Sequence, residues 1–225
     1  ARPLNRSTQR RSVSAPESVA GAVRMTLRPG DMTFIDVEMT LFARANLDHV
    51  GFGCTMGTFF AGPQSRRTFD DVRPAVHELS GVQMQSGSGE WIYRPLSNPA
   101  NLQVSSFQDS NPRGFGLVQR ERDPNAFLDD DQRLELRPSV WMEPLGDWGQ
   151  GSVQLIEIPT DSELNDNIIA YWRPRQPIAA GSETTVAYRQ AWCWQPPDRP
   201  ALALATRTRQ GRGTQGRRRR FIVDF

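Results

Sequence analysis

The chain reads as an all-β protein, an antiparallel β-sandwich. Three observations predict this. Apolar and polar residues alternate with period two in several short runs. The 17 Pro and 18 Gly divide the chain into short segments and turns. Just one stretch in the first two thirds, Ala126 to Leu136, reads as a helix, and a short one. With 225 residues the chain is at the upper end for one domain, or enough for one and part of another.

Taken in order, residues 1–23 are rich in Arg, Ser and Pro and read as a loop or frayed end. Thr33 to Phe42 alternates cleanly, with Thr33, Ile35, Val37, Met39 and Leu41 on one face, as in a half-buried strand. A short connection containing His49 follows, and His49 reads as a surface residue. Phe52 to Phe60 is an apolar strand broken by Gly. Trp91 to Arg94, Leu102 to Phe107 and Gly116 to Arg120 are further short strands separated by Pro and Asn. Val140 to Glu143 is another, and Pro144 through Gly149 carries turn chemistry that would reverse it. Val153 to Ile158 ends at Pro159, Ile168 to Trp172 ends at Pro174, and Thr184 to Trp194 alternates again. Phe221 to Phe225 reads as a strand cut off at the chain end.

The stretch Thr160 to Asn167 is a loop with three carboxylates and two amides. Trp141, Trp148, Tyr171 and Trp172 lie close by in sequence. Aromatic faces beside acids and amides suit a sugar-handling cleft. The same pattern also describes an ordinary loop flanked by core tryptophans, so composition alone leaves both readings open.

Charge and composition narrow the classes. All 27 basic residues are Arg. Residues 1–30 carry six Arg and one Glu, and residues 206–225 carry seven Arg and one Asp. The middle holds 14 Arg against 23 acids, a net of −9. The run Arg217 to Arg220 is a solvated basic segment in an otherwise acidic body, and the expectation is no nucleic-acid partner. No run reaches the ~18 apolar residues of a membrane span, so no membrane insertion is expected. The chain does not open on an apolar secretory h-region; a leader has been removed, or the chain is an internal piece. Cys54 and Cys193 sit on separate apolar runs and read as buried free thiols, with a single disulfide left open. With His49 and His77 alone beside them, no metal site and no cofactor is expected.

Ordered blocks then carry a resemblance. They are Arg66-Arg67, Asp70 to Pro74, His77, Gly87 to Leu96, Asn111 to Leu117, Arg137 to Pro144, and Ile158 through Ile168. Across roughly residues 33–225 they resemble the periplasmic glucan biosynthesis proteins OpgG and OpgD (MdoG and MdoD). The resemblance implies a large β-sandwich domain followed by a smaller immunoglobulin-like domain. Residues 1–205 would be the C-terminal half of the sandwich, 206–220 an Arg-rich linker, and 221–225 the first strand of a truncated second domain. It implies a periplasmic location, osmoregulated glucan biosynthesis, and β-1,2-linked glucan as partner; it leaves a homodimer open.

Hydrolytic members of that family resemble inverting endo-β-1,2-glucanases, which need a carboxylic acid and a carboxylate base. The resemblance implies Asp166, before Asn167-Ile168, as the general acid. In the glucanases Asp follows the histidine, whereas this chain has His77-Glu78-Leu79-Ser80-Gly81. Glu78 keeps a carboxylate at the base position but moves it by one methylene. Trp91, Arg94, Trp141, Glu143, Asn167 and His77 are the implied substrate-binding residues, with His77 as an orienting hydrogen-bond partner. A glycoside hydrolase, a transglycosylase, and a noncatalytic glucan-binding or scaffold protein all fit this set.

Overall fold

The computed structural model describes residues 8–14, 17–63, 65, 70–201, 203, 205, 207–213 and 218–225. Arg66, Arg67 and Arg217 lie outside the described residues, as do 1–7 and 15–16 of the expected N-terminal loop. The strands are β1 (Thr8–Ser14), β2 (Val19–Arg28), β3 (Thr33–Ala43), β4 (Phe52–Gly57), β5 (Phe59–Ala61), β6 (Val76–His77), β7 (Gly81–Gln85) and β8 (Trp91–Pro95). They continue as β9 (Gln103–Ser110), β10 (Gly114–Val118), β11 (Ser139–Leu145), β12 (Gln150–Glu157), β13 (Ile168–Pro174), β14 (Glu183–Cys193), β15 (Arg207–Arg212) and β16 (Arg219–Asp224).

The two main sheets are antiparallel. The larger has eight strands in the order β1-β2-β3-β14-β11-β10-β7-β8, the smaller four in the order β4-β13-β12-β9. Alternation along the strands decides what lies between them. Met84 of β7, Phe115 and Leu117 of β10 and Met142 of β11 point inward from the large sheet, and meet Phe52, Val153, Leu155 and Trp172 of the small one. The sandwich expected from the period-two runs is thus present, with its core between the sheets. Two-stranded pairs β5-β6 and β15-β16 complete the described strands. The β15-β16 hairpin occupies the Arg-rich tail, pairing Arg207 with Asp224 and Arg212 with Arg219.

Four local expectations are corrected. Residues 8–14 and 19–28 form two paired strands, not a loop, because the register Thr8↔Leu27 through Ser14↔Gly21 satisfies their backbone. Ala126 to Leu136 is not a helix. Two 3-10 turns, Pro124–Ala126 and Leu134–Leu136, flank an aspartate turn in which Asp129 Oδ1 accepts from the amides of Asp131 (3.1 Å) and Gln132 (2.9 Å). Side-chain bonds of this kind compete with helical ones. The Pro144–Gly149 turn does not fold β11 back on a neighbour. It carries the chain from the large sheet to the small one, and Trp148 fills the crossing, its Nε1 donating to Ala187 O at 3.1 Å. Finally, both cysteines are free thiols, but Cys54 is exposed and only Cys193 is buried.

Candidate functional site

Two strand pairings assemble the candidate site at one end of the sandwich. In the first, β4 pairs with β13, setting Gly57 opposite Ile168, so Thr58 falls beside the end of the β12–β13 loop. In the second, β5 pairs with β6, setting Phe59 opposite His77, so the next residue, Glu78, also meets Thr58. The contacts follow. Thr58 Oγ1 donates to Asp166 Oδ1 at 3.3 Å, and Glu78 N donates to Thr58 O at 2.9 Å. Two residues 88 positions apart are brought to one threonine, Asp166 through its carboxylate and Glu78 through its backbone N–H. Asp166 is exposed and the Glu78 side chain is 28% exposed. Arg137 Nη2 lies 3.4 Å from Glu78 Oε1. Arg137 is placed by Arg122, whose guanidinium donates to Arg137 O (2.6 Å), Glu135 O (2.7 Å) and Gln119 O (2.9 Å).

Asn167 and His77 are inside the structure. Asn167 is 1% exposed; its Oδ1 accepts from Phe59 N at 2.8 Å, and its Nδ2 donates to Phe59 O (3.1 Å) and Ile158 O (3.0 Å). It closes the Asp166 loop with a side chain acting as a strand. His77 is stacked on Phe59 with centroids 5.1 Å apart and meets the edge of Phe127 at 5.0 Å. Burial lowers its pKa to about 4. Gln119 Nε2 donates to His77 O at 3.1 Å and lies 3.4 Å from its Nδ1.

Arg94 faces the sheet interior, unlike its neighbours Trp91 and Tyr93. Its Nη2 lies 2.6 Å from Oε2 of Glu157, a residue with no exposed surface. Glu157 Oε1 accepts from Ser97 N (2.7 Å) and Oγ (2.9 Å). Arg94 thereby ties β8 of one sheet to the last residue of β12 in the other, at the root of the Asp166 loop.

Trp91, Trp141 and Glu143 lie elsewhere, on the outer face of the large sheet. Trp141 is 1% exposed and stacks on Trp91 at 5.8 Å with planes 24° apart. The ring covers Gly114 so closely that a Cβ there would come within 2.4 Å of it. Glu143 sits opposite Arg189 in the β11–β14 register. Burial pushes its carboxyl above the usual carboxylate range; Arg189 opposes the rise and Asp198 and Asp36 add to it. Trp148 and Trp172 are core residues, and Tyr171 turns to the opposite side of its strand, 2.7 Å from His49 Nε2. The aromatics adjacent in sequence do not form one cleft.

Several residues that shape the site escaped sequence reasoning. Asn98 grips Thr160 at both backbone atoms, Nδ2 to O at 2.8 Å and Oδ1 from N at 3.0 Å. Arg73 joins three carboxylates, Asp71 (2.6 Å), Asp129 (2.7 Å) and Glu163 (2.9 Å). Its guanidinium holds the Asp71 carboxyl down to about 2. No local pattern marks such contacts; the Asp-x-Arg spacing of Asp71 and Arg73 is the one available signal. Among the described residues, no group of three or more His, Cys, Asp or Glu is placed to hold a metal ion. An open depression of about 600 Å³ lies between Gln108, Ser152 and Arg173, at the other end of β12 from Asp166.

A family model described as "Periplasmic glucan biosynthesis protein, MdoG" matches residues 13–225. Glucans biosynthesis protein G of Shewanella baltica and of Shewanella putrefaciens, and glucans biosynthesis protein G 1 of Shewanella oneidensis, are each 49% identical over 211 residues. That alignment covers 92% of this chain and 39% of each relative, so the chain spans about two fifths of their length. The chain belongs to the MdoG family of periplasmic glucan biosynthesis proteins.

Proposed function

We propose that the chain carries the acid–base pair of a periplasmic glucan-modifying enzyme that acts on β-1,2-linked glucan with inversion. The observation that supports this reading is that Thr58 bonds both the Asp166 carboxylate and the Glu78 backbone N–H, at an end of the sandwich where Asp166 is exposed and the Glu78 side chain partly so. Asp166 protonates the glycosidic oxygen as the C1–O bond breaks, because a sugar alkoxide is a poor leaving group without that proton. Glu78 takes the proton from the nucleophile attacking C1 from the opposite face. When the nucleophile is water the outcome is hydrolysis; when it is a sugar hydroxyl the outcome is transfer. In either case Asp166 ends ionised and Glu78 protonated.

Arg137 beside Glu78 favours a second reading. A carboxylate engaged by a guanidinium suits a noncatalytic glucan-binding protein, in which both groups bind hydroxyls. Asp166→Asn in the full-length protein separates the two, since it keeps shape and removes the proton. On linear β-1,2-glucan the enzyme reading predicts a loss of about 100- to 10,000-fold with glucan binding retained. Unchanged turnover refutes the assignment of Asp166.

A further inference from the structure

The loop bearing Asp166 is held firmly at its roots and lightly at its crown. Asn98 fixes Thr160, and Asn167 fixes its own end to Phe59 and Ile158. Inside the loop, Thr160 Oγ1 donates to Ser162 O (2.8 Å) and Asn165 Nδ2 donates to Thr160 Oγ1 (3.1 Å). These bonds shape the crown without attaching it to the body. The Thr58 hydroxyl reaches both Asp166 Oδ1 and Asn165 O at 3.3 Å, and its single proton cannot serve both at full strength.

A further attachment is an ion pair from Glu163, whose Oε2 lies 2.9 Å from Arg73 Nη1 without hydrogen-bond alignment. Arg73 is itself rooted in the body. Its Nε and Nη2 grip Asp71 at 3.0 and 2.6 Å, Nη1 reaches Asp129 Oδ2 at 2.7 Å, and its backbone N donates to Asp71 Oδ1 at 2.9 Å. Its side chain is 19% exposed and that of Asp129 only 7%. Arg73 stands five residues before Glu78, and Glu163 three before Asp166. One guanidinium thus joins the segment bearing Glu78 to the loop bearing Asp166.

We propose that Arg73 is a positioning residue that sets the separation of Asp166 and Glu78, with Glu163 as its handle on the Asp166 loop. This rests on reading those two carboxyls as acid and base. An inverting pair needs room for one nucleophile, roughly 6.5–9.5 Å between carboxyls, and an error of ~1 Å can cost about 100-fold in rate. A planar fork with five donors fixes the direction of three carboxylates; a lysine ammonium supplies the charge without the geometry.

The test compares Glu163→Gln, Arg73→Lys and Asp166→Asn in the full-length protein on linear β-1,2-glucan. Glu163→Gln leaves Arg73 paired with Asp71 and Asp129, so the fold is preserved. The expected result is a kcat lowered about 10-fold, KM within about twofold, an unchanged thermal midpoint, and faster amide exchange confined to residues 163–166. Arg73→Lys should lower kcat at least as far, since charge alone does not restore direction. Wild-type kcat in Glu163→Gln, with Asp166→Asn inactive, overturns the positioning role alone. So does a kcat loss accompanied by a lower midpoint and faster exchange throughout both sheets, the mark of a purely structural ion pair. Wild-type turnover in Asp166→Asn overturns the reading of the site, and this inference with it.

Discussion

At the loop end of the sandwich Asp166 stands exposed and meets Thr58 through a 3.3 Å bond, whereas on the outer face of the large sheet Trp141 is 1% exposed and packed against Trp91 and Gly114. Sequence proximity leaves open whether the acids and aromatics share one cleft or form a loop flanked by core tryptophans. The strands separate them, because neighbouring residues on a strand point to opposite faces and a loop ends far from the middle of a sheet. The difference teaches where chemistry and framework reside. Side chains whose hydrogen-bonding or packing capacity is spent internally, such as Asn167 and Trp141, determine the position of others. Side chains at the open end, the exposed Asp166 and the partly exposed Glu78, are the ones proposed to meet a ligand.

The sharpest break between the regions should come from substitutions of matched severity. Asp166→Asn should reduce activity by about 100- to 10,000-fold while leaving the unfolding midpoint where it was. Trp141→Ala should do the reverse, destabilising the fold by about 3–5 kcal/mol through the cavity left on the outer face. Denaturant titration checks the second. A Trp141→Ala protein of wild-type stability would mean that the stacked pair is not framework.

The Arg94–Glu157 pair comes next. Arg94→Met should leave Glu157 buried without its partner and cost about 3 kcal/mol. A thermal midpoint that does not move would show that water replaces the arginine.

His77 gives a pH-dependent version of the same distinction. Burial holds its folded pKa at about 4, below the ~6.5 of an exposed histidine. Between those values the unfolded chain binds a proton that the folded chain refuses. Its contribution is therefore complete above pH ~6.5, declines as pH falls toward 4, and is gone below it. The full loss is about 3 kcal/mol. The Asp71 carboxyl, held down to about 2 chiefly by Arg73, adds a further loss as pH falls from ~4 through 2. His77→Phe keeps the stacking on Phe59 and should flatten the stability curve between pH 6.5 and 4; an unchanged slope would assign that window to another group.

Smallest of all should be Glu143→Gln. Its carboxyl is half-buried and raised by burial, so a neutral amide should change stability by less than about 1 kcal/mol at pH 7. A large loss of activity would instead draw the outer face into the site.

The legible and illegible parts of the structure divide along physical lines. Thr33 to Phe42 alternates along its length and falls within β3. β7 was missed because Gly81-Val82-Gln83-Met84-Gln85 is buried on both faces, so glutamines occupy positions that a half-buried strand gives to solvent. β1 is hidden by arginines and serines that composition assigns to loops, and β2 by its arginines and its glycine. At the site, the proposal of Asp166 and Glu78 as a pair comes through resemblance to related sequences. The parts that position them do not, since Thr58 meets Asp166 across 108 positions and Asn98 meets Thr160 across 62. Contacts of that range depend on register between strands, and no local pattern encodes them.

The central claim is that Asp166 and Glu78 act from opposite faces of one glycosidic bond. The direct measurement is the anomeric configuration of newly formed product, followed by proton NMR before mutarotation, with the full-length protein acting on linear β-1,2-glucan. Opposed carboxyls require inversion, so the first reducing end, or the first new bond if a sugar hydroxyl is the acceptor, should be α. A product that appears first as the β anomer would mean two successive displacements through a covalent intermediate, and would contradict the account.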